Sequence, residues 1–168
     1  MAGLSPPRQL AEQDPRETFR CGRPALDIWF HRHAWRNQLL GVSRTSVIID
    51  RQSSEIAGYV SLSSAQIERG HLLKSDQRNR PDPVPAILLA QLAVDIRYQR
   101  QGVARDLLFF ALTTSRKISD EIGCFCVLTH PLDEGVRSFY RRFGFEDLPF
   151  DPRRSMAVRI VDLIKNGF

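Results

Sequence analysis

What the chain lacks narrows its class first. None of its apolar runs approaches the roughly 18 residues that a membrane-spanning helix requires. The opening stretch, MAGLSPPRQLAEQDPRE, lacks the basic-then-apolar order of a secretion signal, which points to a cytoplasmic address. Cysteines number only three, an odd count, and no Cys/His set has zinc-ligand spacing, so no metal site is expected. Cys124 and Cys126 alternate within an apolar run and should face one side of a strand as buried, reduced thiols. No internal repeat or low-complexity segment stands out.

What is present is the composition of a soluble globular protein: 42% hydrophobic and 26% charged residues. A length of 168 residues fits one compact domain with a substantial core. The formal net charge of +5 favours polyanionic partners such as a nucleotide cofactor or RNA, unless the basic surface only keeps the chain soluble.

Residues 1–17 are polar and hold three of the ten prolines, the composition of a flexible lead-in. From Pro24 the pattern turns helical, since proline suits a first helical position and Leu26, Trp29 and Phe30 share a stripe that continues toward Leu39 and Leu40. His31, Arg32, His33 and Arg36 lie along the same helix, as solvated charges or as part of a basic rim. Residues 46–50 and 56–67 read as an antiparallel hairpin, with 51–55 as its turn and Gly58 as a bulge. The stretch 68–85 reads as a long polar, basic loop, and 86–94 as a central strand buried on both faces.

Val103, Leu107 and Ala111, with Ala104, Leu108 and Leu112, form paired i, i+4 stripes on the next helix, which should end near Arg116 and Lys117. Residues 124–129 read as a strand. Asp133 can cap a helix striped by Val136, Phe139, Tyr140 and Phe143 and stopped by Gly144, and 155–161 reads as a last strand. An antiparallel front half thus precedes a strand–helix–strand back half, a mixed α/β (α+β) chain.

Between strand and helix stands Gln99-Arg100-Gln101-Gly102-Val103-Ala104. A helix start exposes unpaired N–H groups and the positive end of the helix dipole, so a diphosphate is a sensible occupant. Gly102 permits close backbone approach, and Ala104 keeps the next turn narrow. One glycine in this place also describes an ordinary strand-to-helix turn.

The wider stretch VDIRYQRQGVARDLL resembles the acetyl-CoA signature of the GNAT N-acetyltransferase superfamily, with Gln99, Gly102 and Ala104 at the patterned positions. SFYRRFGF, residues 138–145, is similar to the family's late helix and following turn. The resemblance implies a GNAT fold over 18–168: a central mixed, twisted sheet with an antiparallel N-terminal half, flanked by about four helices. It implies acetyl-CoA as cofactor, its pyrophosphate on the backbone of residues 99–104 and its pantetheine arm beside Leu92, Ala93 and Val94, with Phe139 and Arg142 close by.

A narrower likeness covers roughly residues 19–161, carried by FRCGRPALDIWFHRHAWRNQLLGVSRTSVI, IAGYVSLSSAQI, PVPAILLAQLAVD and FYRRFGF. These resemble the GNAT toxins of bacterial toxin–antitoxin pairs, which acetylate the α-amine of aminoacyl-tRNA and stop translation. The resemblance implies a ribbon-helix-helix antitoxin, repression of the shared operon through that complex, and a homodimer. The chain departs from many relatives in the non-glycine residues Arg100, Gln101 and Ala104 of its turn and in Gln91, where many carry arginine.

Acetyl transfer from a thioester needs a neutral amine, a polarised carbonyl and a proton for the departing thiolate. Tyr140 is the candidate acid, since a phenol stays protonated at neutral pH; without the resemblance it is equally a core aromatic. The resemblance places a backbone N–H near Ala93 or Val94 against the thioester carbonyl. No base interrupts 86–94, which fits the weakly basic amine of an aminoacyl ester. His130, followed by Pro131, reads as a loop histidine. Arg32, Arg36, Lys74, Arg78, Arg80, Arg141 and Arg142 are candidate phosphate contacts for tRNA or solvated surface charges. The alternatives are a GNAT enzyme acting on a small-molecule or protein amine, and a non-catalytic module that binds coenzyme A or nucleic acid.

Overall fold

A computed structural model describes residues 3–168. Among these the chain forms β1 (Arg8–Gln9), α1 (Pro24–Arg32), α2 (Ala34–Leu39), β2 (Arg44–Ile49), β3 (Ile56–Ile67), α3 (Lys74–Gln77), β4 (Val84–Val94), α4 (Val103–Glu121), β5 (Cys126–Thr129), α5 (Glu134–Arg141), β6 (Glu146–Asp147), β7 (Met156–Arg159) and α6 (Ile160–Lys165). The sheet has seven strands and is mixed: β4 and β5 run parallel, and β1–β2, β2–β3, β5–β7 and β6–β7 antiparallel. The chain divides into two compact units, one running to Ser63 and resuming over Ala90–Ala111, the other comprising Ser64–Leu89 and Leu112–Phe168. Among the described residues no helix is long and apolar enough to cross a membrane.

In the first unit the strands follow the order β1–β2–β3–β4. Its core gathers Phe19, Phe30, Val47, Ile56 and Tyr59, with the Tyr59 ring stacked on Phe30 at 4.1 Å between centroids. Burying a tyrosine requires a partner for its hydroxyl, and Tyr59 donates to the Leu26 carbonyl at 2.9 Å. The single helix expected from Pro24 is two, because His33, at φ −117° and ψ −27°, departs from helical geometry between them. The bulged residue of the hairpin is Ala57, the neighbour of Gly58, since Ile48 pairs with Gly58 and Ile49 with Ile56. Gly58 has another duty: a Cβ there would lie 2.9 Å from both Leu107 Cδ1 and Val103 Cγ1, so the missing side chain lets α4 lie close against β3.

The flexible lead-in expected over residues 1–17 is, within its described part, anchored. Arg8 and Gln9 pair with Val47 and Ser46 on the edge of β2, and Leu10 is buried. Arg8 and Asp14 form an ion pair at 2.8 Å, and Asp14 also accepts from the Ala11 N–H at 2.8 Å. An open strand edge offers a row of unpaired donors and acceptors, and this polar segment satisfies part of that row.

The second unit carries the order β3–β4–β5–β7–β6. Its apolar core includes Leu72, Val84, Cys126, Leu128 and Leu148. The expected structureless loop 68–85 contains a 3-10 turn (Arg69–His71), the short helix α3 and the first residues of β4. Buried Leu72 ties it to the core, and Asp82 accepts from the Arg69 N–H at 3.0 Å. The expected last strand stops at Arg159, where α6 begins and buries Ile160 and Leu163 at helical spacing. Helix α5 starts as its sequence signals, with the Asp133 carboxylate accepting from the Val136 N–H at 2.9 Å, and Gly144 takes φ +90° just beyond its end. All three cysteines are free thiols, and burial pushes Cys126 up to about 12.

Candidate active site

In the first unit, β4 leads into the turn that opens α4. Asp95 controls the exit. Its carboxylate accepts from the Arg20 N–H at 3.0 Å and the Arg97 N–H at 2.9 Å, and holds the Arg97 guanidinium at 2.8 and 3.0 Å. Burial would raise that carboxyl, but the Arg97 hydrogen bonds outweigh it and hold Asp95 below the ordinary carboxylate range.

The turn's side chains are largely committed to the protein itself. Gln99 donates to the Cys21 carbonyl at 2.9 Å and the Val94 carbonyl at 3.0 Å, and Gln101 donates to the Arg97 carbonyl at 3.2 Å. Val103 is buried under Gly58, Ala104 is half-buried and Arg100 is exposed. Arg100 and Gly102 have φ of +61° and +84°, which curls the backbone just before α4. What the turn offers an anion is therefore main-chain N–H groups and the start of a 19-residue helix. These residues fit a diphosphate group. Of the strand positions expected beside the pantetheine arm, Ala93 is buried while Leu92 and Val94 are half-buried, and the Val94 carbonyl already accepts from Gln99.

In the second unit, α5 presents Phe139, Tyr140 and, at its C-terminal cap, Arg142. Tyr140 is 4% exposed, packed edge-on against Phe139 at 5.3 Å and against Phe145 at 5.1 Å. Burial pushes its phenol up to about 12, opposed by a hydrogen bond with the Thr129 hydroxyl. Thr129 in turn donates to the Leu89 carbonyl at 3.2 Å. The phenol is thus a protonated donor held at the C-terminal end of β5. Sequence reasoning missed Thr129; its position one step past Leu128 on an alternating strand was the available signal.

The helix is fastened by Arg137, which is buried, donates to Asp147 at 2.6 Å and to the Arg154 carbonyl at 2.8 Å. Arg141 pairs with Glu134 at 2.8 Å and Asp147 at 3.0 Å, so its guanidinium already has protein partners. Arg142 lies over the Phe139 ring at 5.9 Å and is exposed. Lys74 lies over Phe150 at 5.2 Å and Arg80 over Phe125 at 4.6 Å, both with Arg78 in the exposed part of 74–80. Arg32 and Arg36 are exposed on α1 and α2 of the first unit. The structure thus gathers residues 92–94 and 99–104 at one turn, and Phe139, Tyr140, Arg141 and Arg142 at one helix end.

Residues 43–147 match the Acetyltransferase (GNAT) domain. The chain is 35% identical over 158 residues to a tRNA-acetylating toxin of Mycobacterium tuberculosis, covering 94% of each protein. Its fold is similar to that of AtaT solved with acetyl-methionyl-tRNA, at TM-score 0.89 and 24% identity over 98% of this chain and 99% of that one. It is likewise similar to a tyrosine-to-phenylalanine mutant of KacT, at TM-score 0.90 and 23% identity over the same shares. With the turn, the capped helix and the sheet order all in place, the chain belongs to the GNAT acetyltransferase family.

Proposed function

We propose that this chain is a toxin that transfers the acetyl group of acetyl-CoA to the α-amine of aminoacyl-tRNA and so blocks translation. The observation that carries this reading is the 35% identity, over 94% of each protein, with the tRNA-acetylating toxin. The likeness to AtaT, solved with an acetylated methionyl-tRNA, is in keeping with it.

Acetyl-CoA, when bound, supplies a thioester as acyl donor. The amides of residues 99–104 would hold its diphosphate, Leu92, Ala93 and Val94 would lie along its pantetheine arm, and Phe139 and Arg142 would flank it. A main-chain N–H near Ala93 or Val94 would donate to the thioester carbonyl oxygen as charge develops there. Tyr140 Oη would give its proton to the departing sulfur. The buried phenol, held above its ordinary value, stays protonated through the physiological range and is ready to donate.

The exposed cations Arg32, Arg36, Lys74, Arg78, Arg80 and Arg142 are the candidate phosphate contacts, with Arg141 the least available. A ribbon-helix-helix antitoxin would neutralise the toxin and carry it to operator DNA. The fold neighbours include AtaT with the C-terminus of its antitoxin AtaR and a KacTA–DNA complex. A homodimer and a cytoplasmic location go with this reading, since charged tRNA is a cytoplasmic substrate.

A translation extract tests the reading directly. The purified protein should stop protein synthesis only when acetyl-CoA is supplied, and Tyr140→Phe should relieve the block. Arrest without acetyl-CoA, or none with it, would contradict the proposal.

A further inference from the structure

Two segments of the second unit expose charge of one sign only. Over 72–80 the exposed charges are Lys74, Arg78 and Arg80, and over 148–155 they are Arg153 and Arg154. The one carboxylate in each segment is buried and engaged: Asp76 accepts from Arg159 at 3.1 Å, and Asp151 from the Arg153 N–H at 3.0 Å. The segments meet where Lys74 Nζ lies 5.2 Å over the Phe150 ring. Arg80 is held in a similar way, 4.6 Å over Phe125.

Phe150 remains 48% exposed even with Lys74 over its ring. An exposed aromatic is ordinary by itself, but this one is rigidly mounted. Leu148 is buried two residues before it, and its N–H donates to the Ser155 carbonyl at 3.0 Å. Inside that closure the Asp151 N–H donates to the Leu148 carbonyl at 3.1 Å, and the Arg154 N–H to the Asp151 carbonyl at 2.8 Å. Arg154 takes φ +51°, a backbone region that arginine rarely adopts. Its carbonyl accepts from the buried Arg137 guanidinium at 2.8 Å. Arg137 stands one turn before Tyr140 on α5, so the segment is fastened to the helix that presents the phenol.

A ring held open among fixed cations matches a single-stranded nucleic acid, in which a base stacks on the aromatic while the phosphates beside it meet the charges. A base inside a duplex is already stacked on its neighbours, so the ring selects an unpaired one. Resting on the aminoacyl-tRNA reading above for the identity of the RNA, we infer that Phe150 stacks on an unpaired nucleotide of the tRNA while Lys74, Arg78, Arg80, Arg153 and Arg154 neutralise neighbouring phosphates. The cations supply the part of the affinity that salt screens, and the ring supplies a part that it does not.

The test is the affinity for charged tRNA at several salt concentrations, measured for the wild type, Phe150→Ala, Phe150→Leu, Phe150→Tyr and Lys74→Ala, with acetyl-CoA affinity determined on each. Phe150→Ala and Phe150→Leu should each weaken tRNA binding about 10-fold at an unchanged salt slope, and Phe150→Tyr should bind as the wild type does. Lys74→Ala should reduce the slope of log affinity against log salt by about 1. Acetyl-CoA affinity should stay constant throughout. With short RNA probes, the Phe150→Ala loss should appear on a single strand and be absent on a blunt duplex. Wild-type tRNA affinity in Phe150→Ala or Phe150→Leu overturns the inference alone, as does an equal loss on the duplex. Phe150-dependent binding to vesicles of anionic phospholipid, with tRNA affinity unaffected, assigns the surface to a membrane and overturns it as well. A wild type that binds charged tRNA with the expected dependence but acetylates none overturns the functional reading and supports the surface. A wild type that binds no charged tRNA overturns both.

Discussion

The Gln99 side-chain amide donates to the carbonyl of Cys21, 78 residues earlier in the chain, at 2.9 Å. Its second bond, to Val94, closes the turn on itself, so a residue patterned as part of a cofactor signature acts here as a brace. Gln99→Ala should destabilise the fold by about 1 kcal/mol, the net worth of a hydrogen bond. Gly102→Val, at φ +84°, should instead deform the amide cradle and weaken acetyl-CoA binding about 10-fold or more. Calorimetry on the two variants separates the effects, and unchanged acetyl-CoA affinity in Gly102→Val would remove the turn from the cofactor site.

Tyr140→Phe removes only the phenolic oxygen from a packed ring. Turnover should fall about 100-fold while acetyl-CoA affinity and the thermal midpoint stay close to the wild type. Equal turnover would leave Tyr140 as a core aromatic packed on Phe139 and Phe145.

Asp147 ties α5 to β6 through Arg137 and Arg141. Burial raises its carboxyl, but the two arginines outweigh that and hold it below the ordinary carboxylate range. A depressed folded value means stability that is present above the unfolded value and lost as pH falls through the folded one. Asp147→Asn should cost about 2 kcal/mol at neutral pH, because it leaves the buried Arg137 without its nearest counter-charge. The gap in thermal midpoint between wild type and variant should narrow as pH drops below about 4. A gap that stays constant to pH 3 would contradict the linkage.

Two neighbouring arginines should behave differently. Arg142→Ala should weaken tRNA binding and reduce the slope of log affinity against log salt by about 1, the signature of one lost phosphate contact. Arg141→Ala should leave that slope unchanged, since Glu134 and Asp147 already hold its guanidinium. Binding isotherms at several salt concentrations decide between them.

Local signals were readable where they were self-contained. Helix α5 announced itself through Asp133, the apolar stripe and Gly144, because cap, period and stop lie within one short segment. The two-residue β1 left no pattern, since its pairing depends on the open edge of β2. Helix α6 was hidden because apolar residues recur through MAVRIVDLI, broken only by Arg159 and Asp162, across the change from strand to helix at Ile160. His130 is the loop histidine that its sequence suggests, exposed just past the end of β5, and only its partner Ser155, 25 residues away, needed the folded chain to be seen. Tyr140 was legible as an aromatic on a stripe, but its Thr129 partner depends on the alternation of β5, whose start lies at Cys126 and not at Cys124.

The most direct test of the account is mass spectrometry of the product formed from purified protein, labelled acetyl-CoA and a pool of charged tRNAs, with lysine peptides and small amines as competing acceptors. The account predicts label on the α-nitrogen of at least one aminoacyl-tRNA, with that label lost in Tyr140→Phe. Label confined to peptides or small amines, with every charged tRNA unmodified, would contradict it.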